Sequence, residues 1–405
     1  MAICRLGDLI KIKHGYAFKG NYISTEDNGI VLVTPGNFKI GGGFKEEKCK
    51  FFTSVYSSDY VLKPGDLIVT MTDLSKTVDT LGYSAIVPNS KRTYLHNQRI
   101  GLINIINSTI VDKKYLYWLM RSPKYQKTIA ATSTGSTVHH TSPNRIYEYE
   151  FDLPQISVQR KIAGILSDIE EKINKNSAIN NNLEQQAQAI FKSWFINFEP
   201  FNKTMPSDWI IGTIDDLAKE VVCGKTPSTK KAEYYGSNIP FITIPDMHGK
   251  TYAVTTERYL SKLGANSQVK KSLPKNSICV SCIGTAGLVT LVAEESQTNQ
   301  QINSIIPKDG FSPYYIYLLM QTLSDTINKL GQSGSTIVNL NKSQFGKIQV
   351  IIPALSVMIK FDKIVSPMFE KMLQNQMENL KLTSLRDALL PRLMSGELDV
   401  SDIEI

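Results

Sequence analysis

Residues 162–194 read IAGILSDIEEKINKNSAINNNLEQQAQAIFKSW, and residues 361–393 read FDKIVSPMFEKMLQNQMENLKLTSLRDALLPRL. In the first stretch, steps of four and three pick out Ile162, Leu166, Ile169, Ile173, Asn176, Asn180, Leu183, Ala187, Ile190 and Trp194. The same steps in the second pick out Phe361, Val365, Met368, Met372, Asn375, Asn379, Leu382, Arg386, Leu389 and Leu393. An apolar heptad of this kind predicts a helix that buries one stripe against another helix. Both stretches carry asparagine at the same two central positions, so each is the natural partner of the other.

The chain dictates their orientation. The segment between them must begin where the first helix ends and finish where the second begins, and the ends of a compact domain usually lie close together. The helices should therefore run antiparallel. Partners whose numbers sum to 555 then pair Ile162 with Leu393, Leu166 with Leu389, Ile173 with Leu382, and so on to Trp194 with Phe361. Asn176 meets Asn379 and Asn180 meets Asn375, a device that fixes register at some cost in stability. Ile169 faces Arg386, whose aliphatic stem can cover it while the guanidinium reaches water. Pro391 removes one helical hydrogen bond, at a cost of about 3 kcal/mol in a helix interior, and predicts a frayed or kinked last layer. Thirty-three residues of helix make a rod of roughly 50 Å, and antiparallel pairing of similar halves creates a pseudo-twofold axis.

Outside the helices the chain repeats itself once. Tyr115-Leu116-Tyr117-Trp118-Leu119-Met120 recurs as Tyr315-Ile316-Tyr317-Leu318-Leu319-Met320, and Gly135-Ser136-Thr137 recurs as Gly334-Ser335-Thr336. Asn97-Gln98-Arg99-Ile100 is echoed by Asn299-Gln300-Gln301-Ile302, and Leu153-Pro154 by Ile352-Pro353. Short β-rich runs (66–72, 100–106, 277–283, 347–352) alternate with turn signals such as Lys63-Pro64-Gly65-Asp66, and one helical stretch interrupts each half, at 113–131 and 313–330. The expected architecture is α+β. Two similar mixed α/β domains, 1–154 and 201–352, alternate with helical segments, 155–200 and 353–405, that form an antiparallel coiled coil.

Positive charge follows this division. Segment 1–154 holds 19 Lys and Arg against 13 Asp and Glu, and 201–352 holds 15 against 11, whereas 155–200 is balanced at 5 and 5 and 353–405 is acidic at 6 against 8. The excess lies in the globular segments, as phosphate neutralisation by those parts requires; a basic soluble surface is the alternative. No apolar run approaches the roughly 18 residues of a membrane span, and the amino terminus resembles no export signal, so a cytoplasmic, non-membrane protein is expected. Five scattered cysteines make no disulfide framework. Cys279 and Cys282 lie in a β-prone run without a second pair of ligands, and read as buried strand residues rather than a zinc site.

Catalytic motifs are missing. Gly249-Lys250-Thr251 and Gly224-Lys225-Thr226 mimic the end of a phosphate-binding loop, but Ile244 and Lys219 stand where its first glycine belongs. No Asn-Pro-Pro-aromatic element for amino methylation occurs, and His139-His140 has no acid at metal-ligand spacing. For DNA contact, the two Gly-Ser-Thr segments could admit phosphates to backbone amides and hydroxyls, or could be ordinary turns. Asn97, Gln98, Arg99, Asn299 and Gln300 offer groups able to bond base edges, or could serve inside the fold. Lys76, Arg92, Lys225, Lys230 and Lys231, in polar loops, are candidate phosphate partners or solvated charges.

The order and endings of these parts resemble the specificity subunits of type I restriction-modification systems. Phe191-Lys192-Ser193-Trp194-Phe195 with Asn197-Phe198-Glu199-Pro200, and Leu389-Leu390-Pro391-Arg392-Leu393-Met394-Ser395-Gly396-Glu397, look like that family's endings for its two spacer helices. The Gly-Ser-Thr segments leading to Asp152-Leu153-Pro154 and Ile351-Ile352-Pro353 look like its closing segments. Where the family often has Glu-Gln after the proline opening each helix, this chain has Val158-Gln159 and Val357-Met358-Ile359.

The resemblance implies a non-enzymatic subunit that chooses an asymmetric, two-part duplex DNA sequence. It also implies recruitment of two modification subunits, which bind S-adenosylmethionine and methylate adenine, and of restriction subunits using ATP and Mg, with no cofactor on this chain. Two other functions fit the sequence: a self-sufficient DNA-modifying enzyme, and a coiled-coil scaffold without DNA specificity.

Overall fold

The computed structural model describes residues 2–73, 75, 77–135, 137–332 and 339–403. Two helices of 40 residues each, Ile156–Phe195 and Leu355–Met394, dominate it, and contacts divide the chain into two compact units. Unit 1 comprises residues 1–171 and 382–405; unit 2 comprises residues 172–381. Each unit thus holds one globular segment and a portion of both long helices.

Unit 1 is built on two sheets, a short pairing of Thr72–Asp73 with His139–His140, and a two-stranded ribbon. The ribbon pairs Ala2–Arg5 with Glu150–Leu153, antiparallel, from Ala2 opposite Leu153 to Arg5 opposite Glu150. One sheet is antiparallel in the order Ile10–His14, Ile100–Ile105, Leu67–Thr70, Ser84–Ile86. The other has five strands and contains a parallel pair, Thr93–His96 beside Ile30–Val33. The helical stretch read as 113–131 is two helices, Lys113–Leu119 and Pro123–Ala131. The break is local chemistry: Ser122 caps the second helix through Tyr125 N, and Pro123 occupies its first turn.

Unit 2 repeats the plan. A ribbon pairs Ile210–Thr213 with Gln349–Ile352, Ala218–Cys223 runs antiparallel to Ile302–Pro307, and Ile302–Pro307 to Ile278–Ser281. Gln297–Thr298 lies parallel to Tyr235–Ile242, as Thr93–His96 does to Ile30–Val33. The helical stretch again divides, into Pro313–Thr322 and Ser324–Gly331. Cys279 and Cys282 are both buried, and burial pushes each thiol up to about 12.

Within each unit the two helical portions run antiparallel. In unit 1, Ile162, Ala163 and Leu166 share a core with Leu390, Leu393 and the tail residue Val400. Ile169 is half-buried, and Arg386, its side chain 18 % exposed, reaches to 3.6 Å from Glu170 and 2.7 Å from Asp387. In unit 2, Asn176 Nδ2 donates to Asn379 Oδ1 at 2.9 Å and Asn375 Nδ2 to Asn180 Oδ1 at 2.8 Å. Asn180 and Asn379 also donate to main-chain oxygens of the facing helix, Met372 O at 3.1 Å and Ile173 O at 3.3 Å. The amide groups placed in an apolar stripe therefore all donate, to one another and to the facing helix. Trp194 meets Phe361 with ring centroids 5.9 Å apart, and none of the heptad positions is exposed.

Two features depart from the sequence reading. The second helix continues to Met394 through Pro391, and through Pro367 as well, rather than fraying at Pro391. Dense packing on the flanking turns, at Val365 and Phe369 and at Leu390 and Leu393, offsets the lost hydrogen bonds. The helices also bury a second stripe that the heptad does not contain. Phe369 stacks on Tyr314 at 4.5 Å, and Phe195 packs on Tyr315 at 4.8 Å and Trp209 at 5.6 Å, so each helix serves the globular segment as well as its partner.

Gln159, the residue at the departure from the family's Glu-Gln, is fully buried and fully used. Its Oε1 accepts from Asp112 N at 2.9 Å, and its Nε2 donates to Ile110 O at 2.9 Å and Pro154 O at 2.8 Å. In unit 2 the matching position is Met358, whose sulfur lies 3.4 Å from Ser312 N.

Candidate nucleic-acid interface

Three segments that the sequence lists far apart come together along one edge of each unit. In unit 1 the sequence Asn97-Gln98-Arg99 links the strand Thr93–His96 to Ile100–Ile105. Asn97 is buried, and its Oδ1 accepts from Arg99 N at 3.0 Å, a local turn that leaves Gln98 and Arg99 exposed. Tyr16 crosses this turn: Tyr16 N donates to His96 O at 2.8 Å, and Gln98 N to Tyr16 O at 2.9 Å. The crossing requires a glycine before it, because a Cβ on Gly15 would lie 2.3 Å from Asn97 O.

Unit 2 makes the same crossing with different side chains. Asn299 Oδ1 accepts from Gln301 N at 3.1 Å, Gln300 is exposed, and Lys225 N donates to Thr298 O at 2.9 Å. A Cβ on Gly224 would lie 2.1 Å from Asn299 O. Thr226 Oγ1 then donates to Gln300 Oε1 at 2.7 Å, holding one of the candidate amides beside the loop that follows Gly224.

A second pair of hydrogen bonds adds the remaining loops. In unit 1, Met71 N donates to Arg99 O at 2.9 Å and Thr141 N to Met71 O at 3.1 Å. In unit 2, Cys282 N donates to Gln301 O at 2.8 Å and Leu340 N to Cys282 O at 3.0 Å. Met71 and Cys282 thus tie the amide-bearing turn to the segment that carries the Gly-Ser-Thr motif. Around that motif in unit 1, Thr134 and His140 exchange hydrogen bonds of 3.0 and 2.8 Å, closing a loop in which exposed Gly135 has φ +101°. Thr137 is exposed there. Ser136, Gly334, Ser335 and Thr336 lie outside the described residues, as does Lys76.

The loop after Met71 is organised by a buried carboxylate that the sequence reading passed over. Asp73 accepts from Ser75 N at 2.6 Å, Thr80 N at 2.6 Å and Thr80 Oγ1 at 2.7 Å. Burial would raise its pKa, but these donors outweigh it and hold the carboxyl below its ordinary range. Such a group is an internal clamp for the loop rather than a catalytic acid.

The candidate cations divide. Arg92 is committed within unit 1, 2.5 Å from Asp27 and 3.5 Å from Glu46 and over the Phe51 ring at 5.9 Å. Tyr94 donates to the same Glu46, and burial with that bond pushes its hydroxyl up to about 12. Arg99, Lys225, Lys230 and Lys231 are exposed; Lys231 sits over the Tyr234 ring at 4.8 Å. Among the described residues no group of three or more His, Cys, Asp or Glu could hold a metal, and no helix is long and apolar enough to cross a membrane. What the edge offers is exposed amides, guanidinium and ammonium groups on a glycine-tight backbone, suited to phosphate and base-edge hydrogen bonds.

A family model described as the type I restriction modification DNA specificity domain matches residues 1–185 and again 206–381. The chain belongs to that family. Its type I specificity relatives include the HindI specificity subunit of Haemophilus influenzae, 35% identical over 388 residues that cover 78% of this chain and 84% of the relative. The MjaIX specificity subunit of Methanocaldococcus jannaschii is 28% identical over 344 residues, covering 80% and 76%. The crystal structure of a type I S subunit from M. genitalium shares the fold, with a TM-score of 0.65 at 16% identity over 99% of this chain and 96% of that one.

This type I specificity subunit is therefore a DNA-specificity protein and not an enzyme: its relatives are specificity subunits, and the matched domain is a DNA specificity domain. The readings as a self-sufficient modifying enzyme or as a scaffold without DNA specificity are set aside on that ground. Sequence reasoning named the amide turns and the glycine motifs as candidates; it did not name Tyr16, Met71, Asp73 and Thr226, whose hydrogen bonds order the turns and the loops beside them.

Proposed function

We propose that this subunit selects an asymmetric DNA sequence in two parts, with unit 1 reading one part and unit 2 the other. The supporting observation is one backbone frame carrying two sets of side chains. Unit 1 presents Gln98 and Arg99 beside Tyr16; unit 2 presents Gln300 beside Lys225 and Thr226. Amides suit adenine edges and guanidinium suits guanine, so the two parts of the target differ in sequence. Lys225, Lys230, Lys231 and the Gly-Ser-Thr segments supply phosphate contacts, and Asn97 and Asn299 shape the turns.

In this reading the chain recruits two modification subunits and, with them, restriction subunits, and works in the cytoplasm on duplex DNA. S-adenosylmethionine belongs to the modification subunits, ATP and Mg to the restriction subunits, and no cofactor to this chain. The long helices set the number of unread base pairs between the two parts. Deleting one heptad from each helix removes about 10 Å of helix, or roughly three base-pair steps. Mapping methylated adenines made by the assembled complex tests this: the gap should shorten by about that much, and an unchanged gap would overturn the spacer role.

A further inference from the structure

Beside the reading edge of unit 1 lies an aromatic cleft that shares Tyr16 with it. Its volume is about 530 Å³, within the roughly 300–1,000 Å³ of small-molecule clefts, and Tyr16, Phe18, Tyr22, Phe52, Tyr56 and Tyr60 line it. The rings hold one another in place: Tyr16 packs edge-on to Phe18 at 5.1 Å and tilted to Tyr60 at 5.1 Å, and Phe18 packs edge-on to Phe52 at 4.8 Å. Core packing accounts for Phe52, which is buried, but not for Tyr16, 48% exposed, or Tyr22, 40% exposed. Two tyrosines held open to solvent around one cavity are a platform without a partner.

The surroundings select the ligand. Lys19 lies on the rim with Ser54 and Ser57, and Lys13 sits over the Tyr60 ring at 5.6 Å while donating to Asp59 O at 3.0 Å. Tyr16 is also the residue that crosses the Asn97-Gln98-Arg99 turn, so the cleft is continuous with the reading edge. A planar apolar ring with polar edges, attached to phosphate, matches stacked aromatics, rim hydroxyls and an ammonium group together.

We propose that this cleft receives one nucleobase unstacked from the DNA part read by unit 1, with its ring against Tyr16 and its phosphate near Lys19. The proposal rests on the DNA-reading role of unit 1. Stacking on one aromatic ring is worth about 5- to 150-fold in affinity when that ring is removed.

The test uses the full chain assembled with its modification subunits, and duplexes carrying the target, identified by methylation mapping, with an abasic site at each position in turn. For the wild type, one abasic position should lower affinity within that range. Tyr16→Ala should lower affinity for intact duplex similarly, and its combination with that abasic site should lower it no further. Tyr16→Phe should bind as the wild type does. Tyr22→Ala, at an exposed position, repeats the cycle should Tyr16→Ala fold poorly. If at every position the losses from abasic site and ring removal simply multiply, or ring removal costs nothing, the cleft holds no base. If the wild-type complex shows no sequence preference at all, the DNA-reading role itself falls.

Discussion

Arg121 is the buried joint between the globular part of unit 1 and its helices, and replacing it with methionine should destabilise unit 1 by about 3 kcal/mol. Its guanidinium lies 2.9 Å from the Glu170 carboxylate, donates to Gly41 O at 2.7 Å and to the Tyr117 hydroxyl, and covers the Trp118 ring at 4.2 Å. Glu170 in turn accepts from the Tyr117 hydroxyl at 2.6 Å. Removing one partner of a buried pair costs about 3–5 kcal/mol, mostly as the penalty on the charge left behind. Here the lower end applies, because Glu170 is 20% exposed and keeps Arg386 at 3.6 Å.

For a unit of about 200 residues, that loss lowers the melting temperature by roughly 6–12 °C. Glu170→Gln in the Arg121→Met background should restore part of it, since the stranded charge is then gone. Calorimetry of the single and double variants measures this. A loss under about 1 kcal/mol for Arg121→Met, or strictly additive losses in the pair, would refute the reasoning.

Other outcomes follow from the same structure. Asn176→Leu should cost about 1–2 kcal/mol by stranding Asn379 Oδ1, whereas the Asn176→Leu, Asn379→Leu pair should cost less than the single change; urea midpoints decide. Burial holds the pKa of His96 below its ordinary 6.5, so the unfolded chain takes up the proton first as pH falls. Stability present above about pH 6.5 is therefore lost as pH drops towards the lowered folded value. His96→Gln, which keeps a donor for Ile100 O, should flatten that decline in melting temperature. Lys225→Ala should weaken DNA binding across sequences and reduce the salt slope by about 1, whereas Arg99→Ala should cost about 1–3 kcal/mol and relax one position in one part of the target.

How far the sequence reached follows from where its signals reside. The register of the helices was legible because asparagines at matching places in two apolar stripes find hydrogen-bond partners when they face one another, and 176 with 379 and 180 with 375 is where they meet. The second stripe, with Phe191, Phe195 and Phe369, was not, because a heptad search finds one periodic face and these side chains face a globular segment. The two β-rich segments were legible from repeated short motifs. Their convergence at one edge was not, since it runs through the main chains of Met71 and Cys282, where residue type carries no signal. Arg92 looked like a free cation because Asp27, its partner, lies 65 residues away.

In the proposed function each globular segment reads its own part of the target. Exchanging residues 1–154 for the matching segment of another specificity subunit and mapping methylated adenines made by the assembled complex tests it most directly. One part of the recognised sequence should change while the other part and the gap stay as they were; a change in both parts would contradict the account.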